Sequence, residues 1–296
     1  MEFLIKTKGK KMNKLEYGYG SPEIKADEFK ISPSGLKDFF NYTHLWFEKQ
    51  FLGENSFAGN TLSVRGTYLH WLAENYHKDK TITQETVNEA KKYLDIQYKN
   101  LSTDEFDIQY VLDTVDDMWT PLKHWIDENY LLDSEIHVST KISNHVVLSG
   151  KVDYIKSDLI NGGITVGDYK TSGPKTIPKK IEYQHRLQLL AYAYAMEKMG
   201  RTVGSIECCY IIEKGSVSEK TGKQLSPYEN TVISFSEPYT NDLRKRIKGQ
   251  IKLVAETMEL FFTEPQLAYI LFKDYRLKGK QFNVLKFKEN SESDMF

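Results

Sequence analysis

The stretch from Val146 to Lys170 constrains the fold of this chain most, because its pattern is typical of two strands joined by a tight turn. Period-two alternation predicts that the apolar residues of the first strand share one face, and they are Val146, Leu148, Val152 and Tyr154. Asp153 falls on the other face. Asn161-Gly162-Gly163 supplies turn residues that tolerate a positive φ. The chain is therefore expected to build a β-sheet around this hairpin.

The second strand of the hairpin carries the residues with the most chemistry. Asp168 and Lys170 are two residues apart, so they share a face that is otherwise apolar. If the strands pair, Asp153 and Asp168 can converge at one end of the hairpin. Two carboxylates at such a short distance repel each other, so a divalent cation between them is favoured. A lysine beside them can hold or deprotonate a water molecule. The hairpin therefore predicts a metal site.

Five short motifs occur in a fixed order between residues 31 and 215. They are Ile31-Ser-Pro-Ser-Gly-Leu36, Gly66-Thr-Tyr-Leu-His70, Gly150-x-Val152-Asp153, Gly167-Asp168-Tyr169-Lys170-Thr171 and Gln188-Leu-Leu-Ala-Tyr192. In the last motif, the glutamine and the tyrosine are i, i+4 neighbours and share one helix face. Together the motifs resemble those of the RecB-like branch of the PD-(D/E)XK nuclease superfamily.

The resemblance implies a set of active-site residues. It implies that Mg²⁺ or Mn²⁺ is held by His70, Asp153, Asp168 and the backbone carbonyl of Tyr169, and that Lys170 is catalytic. The helix motif implies that Gln188 and Tyr192 support the site and contact the substrate strand. Glu135 is a further possible member, because RecB-like nucleases often carry a glutamate near this place. The alternative is that Glu135 is merely an exposed strand end.

Basic residues surround the predicted start of the helix that carries Gln188. This helix is expected to run from near Pro178 to about Met199. Helix N-termini and lysines both favour phosphate, so these residues are predicted to contact the DNA backbone, and they are Lys175, Lys179, Lys180 and Arg186. The alternative is ordinary solvated charge.

The expected fold is α/β, a restriction-endonuclease-like mixed β-sheet core flanked by helices, with an N-terminal helical lobe. Residues 1–30 are expected to form a polar basic tail and residues 31–132 the helical lobe with the histidine motif. The nuclease core is placed at residues 133–265, and residues 266–296 form a basic and aromatic segment with a disordered end. Within the lobe, Ser34 is predicted to cap a helix through about Leu52, and Pro121 to interrupt or restart another.

Composition indicates a globular protein and argues against an iron–sulfur cluster. The chain has 296 residues, of which 40% are hydrophobic and 13% aromatic, as in a globular protein. Its two cysteines, Cys208 and Cys209, are adjacent and are predicted to stay reduced, with one of them buried. Some RecB-like nucleases bind an iron–sulfur cluster through four cysteines, so no such cluster is expected here.

The sequence also bears on location. No apolar run approaches the ~20 residues of a membrane span. The N-terminal residues lack the long apolar core of a secretory signal. We therefore expect a cytoplasmic protein of a bacterial or phage-infected cell, and a mitochondrial address is less favoured. The sequence indicates no protein partner.

The resemblance implies a metal-dependent deoxyribonuclease that hydrolyses phosphodiester bonds. We expect an exonuclease that prefers single-stranded DNA or DNA ends and acts in DNA repair, recombination, replication or phage DNA metabolism. One alternative is a structure-specific endonuclease. Another is a non-catalytic DNA-binding subunit that keeps the fold, although the intact Asp153, Asp168 and Lys170 argue against it.

Overall fold

The fold is centred on a mixed sheet of six strands. A computed structural model describes residues 29–41, 46, 61–83, 85–89, 92, 108–174, 177–218 and 220–263. Its strands are β1 (Phe29–Ile31), β2 (Asp133–Lys141), β3 (Val146–Ser157), β4 (Ile164–Ser172), β5 (Val203–Ile212) and β6 (Thr231–Pro238). Its helices are α1 (Leu36–Asn41), α2 (Thr61–Asp79), α3 (Ile108–Asn129), α4 (Tyr183–Lys198) and α5 (Asn241–Thr263).

The strand order is β1-β3-β4-β5-β6, and β2 pairs with β3 off this path. The pairs β1–β3 and β4–β5 are parallel, whereas β2–β3, β3–β4 and β5–β6 are antiparallel. The expected α/β class and mixed sheet are therefore confirmed. The predicted tail at residues 1–30 lies almost wholly outside the described residues, and the segment 266–296 lies wholly outside them.

Helices cover both faces of the sheet, and each face has its own core. On one face, α4 and α5 pack over apolar residues that include Val166, Ile206 and Tyr210. On the other face, α2 and α3 pack over Tyr154, Tyr169 and Cys209. The sheet is thus buried on both sides, which explains why every residue of β5 is buried.

Strand β3 exceeds its neighbours in length and changes partner along its course. Its first residues pair with β1, from Phe29↔Val146 to Ile31↔Leu148. Its last residues pair with β4, from Tyr154↔Gly167 to Ser157↔Ile164. Continuing that register by one step sets Asp153 opposite Asp168, at the point where β3 and β4 separate. We call this point the strand fork.

The alternation of β3 breaks at the strand fork. Val152 belongs to the core under α4, but Tyr154 lies in the other core, against Tyr169 and Trp125. The prediction that Tyr154 shares a face with Val146, Leu148 and Val152 is therefore wrong. Glu135 of β2 lies opposite Asp153 of β3. Because the φ of Glu135 is 51°, which is not that of a regular strand, the side chains do not alternate regularly at this point.

Three predicted helix boundaries also differ from the structure. Ser32, not Ser34, is the N-terminal cap, because Ser32 Oγ accepts a hydrogen bond of 3.0 Å from Gly35 N at a 3₁₀ turn. The part of that predicted helix beyond Asn41 falls almost wholly outside the described residues. Helix α3 runs unbroken through Pro121. The carbonyl that loses its partner belongs to the exposed Asp117, where water can replace the missing N–H.

The third boundary is the start of α4. The helix begins at Tyr183 rather than near Pro178, and it ends at Lys198. Pro178 itself is buried in the preceding irregular segment. The lysines at residues 179 and 180 therefore precede the helix instead of lying in its first turn.

Both cysteines are reduced, as predicted. Both are buried, whereas the sequence predicted that only one of them is. Burial raises the pKa of the Cys208 thiol to about 12 and also raises that of Cys209. Neither thiol is therefore a reactive thiolate near neutral pH. None of the described helices has the length and apolar character needed to cross a membrane.

We expect Gly167→Ala to lower the free energy of unfolding by about 3 kcal/mol. A Cβ atom at this position would lie 2.0 Å from the ring of Tyr154, which is fully buried and has no room to move. Gly249 is the matched control, because a Cβ on this exposed helical residue meets nothing within 4 Å. Gly249→Ala should stabilise the protein by about 0.5–1 kcal/mol. Urea unfolding measures both, and equal effects would contradict the packing argument.

Candidate active site

The strand fork brings Asp153 into contact with α2 and β4. Asp153 Oδ2 accepts a hydrogen bond of 2.7 Å from the backbone N–H of Tyr169. The same oxygen lies 3.3 Å from Nδ1 of His70, which α2 supplies. The carboxylate thus takes up a backbone donor at the point where the β3–β4 ladder ends.

Asp168 lies on the other branch of the fork and faces α4. Its Oδ1 accepts a hydrogen bond of 2.9 Å from Gln188 Nε2, which also donates to the Tyr192 hydroxyl at 3.3 Å. Its Oδ2 contacts the Lys170 ammonium, but it is buried and accepts no hydrogen bond of sound geometry among the described residues. The structure therefore brings together four polar residues that the sequence predicts in the active site, two on β4 and two on α4.

Burial and neighbouring charges shape the ionisation of these groups. Burial raises the pKa of Asp168 to about 7, although the Lys170 ammonium opposes the shift. Burial also acts to raise the pKa of Asp153, but His70, Lys170 and the Tyr169 N–H outweigh it and hold that pKa below its usual value. The two carboxylates therefore have opposite shifts, which is common where acidic groups share a functional site.

The neighbouring carboxylates stabilise the charged forms of the two basic residues, His70 and Lys170. Burial lowers the pKa of His70, but Asp153 more than compensates, so its pKa is raised overall. Burial likewise opposes the charge of Lys170, and Asp168 and Asp153 raise its pKa despite that cost. The fork is a buried cluster of charges, which is costly unless every charge has a partner.

Three side chains lie close enough to hold one metal ion. Ligand atoms of His70, Glu135 and Asp153 all lie within 4.8 Å of one another. Asp168 is not a member of this group, since it is engaged by Lys170 and Gln188. The donors fit a divalent cation such as Mg²⁺ or Mn²⁺, because carboxylates predominate among them.

Glu135 reaches the site from an unusual backbone conformation. It is the third residue of β2 and lies between the pairs Ser134↔Tyr154 and Ile136↔Val152, yet its φ is 51°. A non-glycine residue in this left-handed region costs about 1–2 kcal/mol. Lys151 Nζ holds the carboxylate by a hydrogen bond of 2.9 Å to Oε2. Such strain persists at functional sites, where the surrounding structure enforces it.

Helix α2 is held in place by a partly buried ion pair that the sequence analysis missed. Both terminal nitrogens of Arg65 donate to Glu213, each at 2.9 Å. At the next residue, Gly66, a Cβ would come within 3.3 Å of Thr171 Oγ1. These contacts fix α2 against the ends of β4 and β5, and so they place His70 one turn further along. No sequence pattern linked Arg65 to Glu213, which are 148 residues apart.

The glycine of the Gly-x-Val-Asp motif serves packing. A Cβ at Gly150 would lie 2.9 Å from Cδ of Pro33 and 3.1 Å from the ring of Tyr192. The absence of a side chain therefore lets the N-terminal turn and α4 meet over β3. This contact joins the first motif to the last one, although they are far apart in the sequence.

Three of the four predicted DNA-binding residues lie in the described part of the chain, and their surroundings differ. Lys179 and Lys180 are exposed, as a backbone contact requires. Arg186 instead forms an ion pair with Glu237 of β6. Lys175 lies outside the described residues.

His185 is a site neighbour that the sequence analysis did not single out. It lies in the first turn of α4, and its Nδ1 is 3.0 Å from the Tyr210 hydroxyl. Burial, Lys170 and Lys37 together lower the pKa of His185 to about 3, so this ring is neutral.

A mixed sheet with paired acids and a lysine where two strands separate defines a nuclease fold of the restriction-endonuclease type. The family model described as the PD-(D/E)XK nuclease superfamily matches residues 30–265. The chain therefore belongs to the PD-(D/E)XK nuclease superfamily. No curated protein shows significant sequence similarity to it.

Solved structures with a similar fold include several exonucleases. An exonuclease candidate from Eubacterium rectale is 11% identical with a TM-score of 0.49, and the match covers 89% of this chain and 94% of the other. LHK-Exo in complex with dAMP is 11% identical with a TM-score of 0.30, covering 72% and 95%. A phage-related exonuclease from Haemophilus somnus is 13% identical with a TM-score of 0.28, covering 64% and 94%.

The strain at Glu135 can be measured directly. We expect Glu135→Gly to unfold with a free energy about 1 kcal/mol higher than Glu135→Ala, because only glycine adopts a φ of 51° without strain. The exposed helical residue Glu256 is the control, where alanine should be the more stable of the two by about 1 kcal/mol. Urea unfolding of the four variants gives the comparison. An alanine preference at both positions would show that residue 135 is unstrained.

Proposed function

We propose that this protein is a divalent-metal-dependent DNA nuclease, and that it acts as an exonuclease on single-stranded DNA or DNA ends. The observation that carries the proposal is the strand fork, where Asp153, Asp168 and Lys170 lie together in a buried setting. Structural stability alone does not favour burying two carboxylates at one point. A site that binds a cation and a phosphodiester does require them.

The metal ligands in this proposal are His70, Asp153, Asp168 and the Tyr169 carbonyl, with Glu135 as an additional ligand. Mg²⁺ or Mn²⁺ bound there supplies a Lewis acid that polarises the scissile phosphate and neutralises developing charge. Inclusion of Glu135 is supported by its ligand atom, which lies within 4.8 Å of those of His70 and Asp153.

Lys170 orients the attacking water in this proposal. Its ammonium contacts Asp168, and both carboxylates favour its charged form, so it donates hydrogen bonds rather than accepting a proton in the resting site. Gln188 fixes Asp168 through one amide hydrogen bond and contacts Tyr192 through another. These two residues of α4 thus position the carboxylate, and in this proposal they also contact the substrate strand.

Outside the fork, cations hold the DNA backbone in this proposal. The exposed Lys179 and Lys180 precede the N-terminus of α4, where backbone N–H groups also favour phosphate. Lys175 belongs to the same segment by sequence. Arg186 contributes less than the others, because Glu237 already neutralises it. The RecB-like resemblance alone supports a role in DNA repair, recombination, replication or phage DNA metabolism in the cytoplasm.

Metal binding is tested without catalysis. In protein freed of metal by a chelator, Mn²⁺ should raise the melting temperature, and Asp153→Asn should weaken the binding by roughly tenfold or more. The asparagine keeps an oxygen that can accept from Tyr169 N–H, so the fork keeps its shape. Glu256→Gln, on the exposed face of α5, is the control and should bind as the unaltered protein does. Equal Mn²⁺ affinity in all three proteins would place the metal elsewhere.

Activity is tested with end-labelled linear single strands and with circular single strands, in Mg²⁺, in Mn²⁺ and in EDTA. We expect metal-dependent shortening of the linear strand alone. Lys170→Met should lower the rate by roughly 10²–10⁴-fold while retaining Mn²⁺ binding, because it removes a group that acts on the water and not on the metal. Asp168→Asn should lose activity as well.

Each other outcome selects a different function. Cleavage of the circular strand would identify an endonuclease, since an obligate exonuclease needs an end. A shifted but uncut strand would identify a DNA-binding subunit. Full activity of Lys170→Met would remove that lysine from the mechanism.

A further inference from the structure

Large apolar side chains are exposed at the end of the sheet where β3 turns into β4. Leu159 and Ile160, at the tip of this turn, are 94% and 93% exposed. Tyr130 and Leu132, just before β2, are 85% and 54% exposed, and Met199, just after α4, is 49% exposed. We call these five residues the turn-end face.

The chain segments of the turn-end face are tied together. Leu132 N donates to the Ile155 carbonyl at 2.8 Å, which joins the start of β2 to β3. Ile164 N donates to the Thr202 carbonyl at 2.9 Å, which joins the turn to the segment after α4. The exposed residues therefore belong to one end of the molecule and are not scattered singly over its surface, where they would need no explanation.

The turn holds its two aliphatic side chains outward in a fixed conformation. Asp158 Oδ1 accepts from the backbone of Ile160 at 3.1 Å and of Asn161 at 2.8 Å. Gly162 N donates to the Asp158 carbonyl at 3.1 Å and adopts a φ of 79°, which suits glycine. The conformation of the turn thus keeps Leu159 and Ile160 exposed. Hydrating their apolar surface costs free energy, and no contact within the described chain offsets that cost.

The turn-end face lies away from the strand fork. Four residues of β3 separate Asp153 from the end of the strand at Ser157, which corresponds to about 13 Å of extended chain, and Leu159 lies beyond that end. Met199 is eleven residues beyond Gln188 along α4, which corresponds to about 16 Å of helix. A substrate bound at the fork does not explain these exposed residues.

Charges of opposite sign flank the turn-end face. Glu128 and Asp133 are exposed on the side of β2. Lys198 and Arg201 are exposed on the side of α4. The first turns of α5 extend the basic side, because Arg244 Nη2 donates to the Val203 carbonyl at 2.7 Å and the next residue is the exposed Lys245.

We propose that the turn-end face binds a second copy of this chain, forming a two-fold symmetric dimer. Rotation by two-fold symmetry brings the acidic side of one copy against the basic side of the other and sets the two aliphatic tips together at the centre. An apolar centre with a polar rim is the usual anatomy of a stable interface. Nucleic acid fits this face less well, since the acidic side repels phosphate.

The dimer is tested by light scattering coupled to gel filtration over a dilution series of the full chain. We expect twice the mass of the 34.4 kDa chain at high concentration. Leu159→Asp combined with Ile160→Asp should raise the dissociation constant by roughly tenfold or more, and the fold should survive because both side chains are exposed. Leu253→Asp, at an exposed leucine of α5, is the control and should leave the dimer intact.

A charge exchange tests the orientation. Arg201→Glu alone and Asp133→Lys alone should each weaken the dimer, whereas the double variant should restore it, because the opposite signs face each other again. A chain that stays monomeric at all concentrations would overturn the proposal. A dimer that survives the double aspartate variant would overturn it too. Neither result depends on nuclease activity, so the proposed function is tested separately.

Discussion

The hydrogen bond from the Tyr169 N–H to Asp153 Oδ2 is the interaction on which the site depends. It forms where β3 leaves β4, so a carboxylate takes the place of a strand carbonyl. This hydrogen bond ends the β3–β4 ladder and also fixes Asp153 beside the second acid, Asp168. Because β3 continues past this point to pair with β1, both branches of the fork remain anchored in the sheet.

The fork also concentrates energetic costs that a purely structural core avoids. Asp168 is buried with a pKa raised to about 7, Lys170 is half-buried beside it, and Glu135 adopts a left-handed backbone. These features together reduce the free energy of unfolding, yet each of them directs a polar group to the strand fork. A superfamily defined by metal-dependent cleavage of phosphodiesters explains such a concentration, because charge that is unfavourable alone becomes favourable when a cation binds.

The surrounding structure withstands these costs by packing on both faces. On one side, the partly buried Arg65–Glu213 pair fixes the helix that carries His70. On the other side, the bare backbone of Gly150 lets Tyr192 and Pro33 close over β3. The glycines of the motifs thus serve contact between elements, while the acids and the lysine form the candidate site. Residues of both kinds are required for the same geometry.

The sequence by itself determined the hairpin, because alternation is a local property. Its short motifs, through their resemblance to a known family, predicted the mixed sheet and nominated the residues of the candidate site. It did not determine the face of Tyr154, the strain at Glu135 or the Arg65–Glu213 pair, since each arises from chain segments distant in sequence. It also misplaced the start of α4 and the break at Pro121, where tertiary packing and exposure to water outweigh local signals. Only the tertiary structure decided which candidate ligand atoms lie together, because those of His70, Glu135 and Asp153 meet only once β2 has paired with β3 and α2 has packed on the sheet.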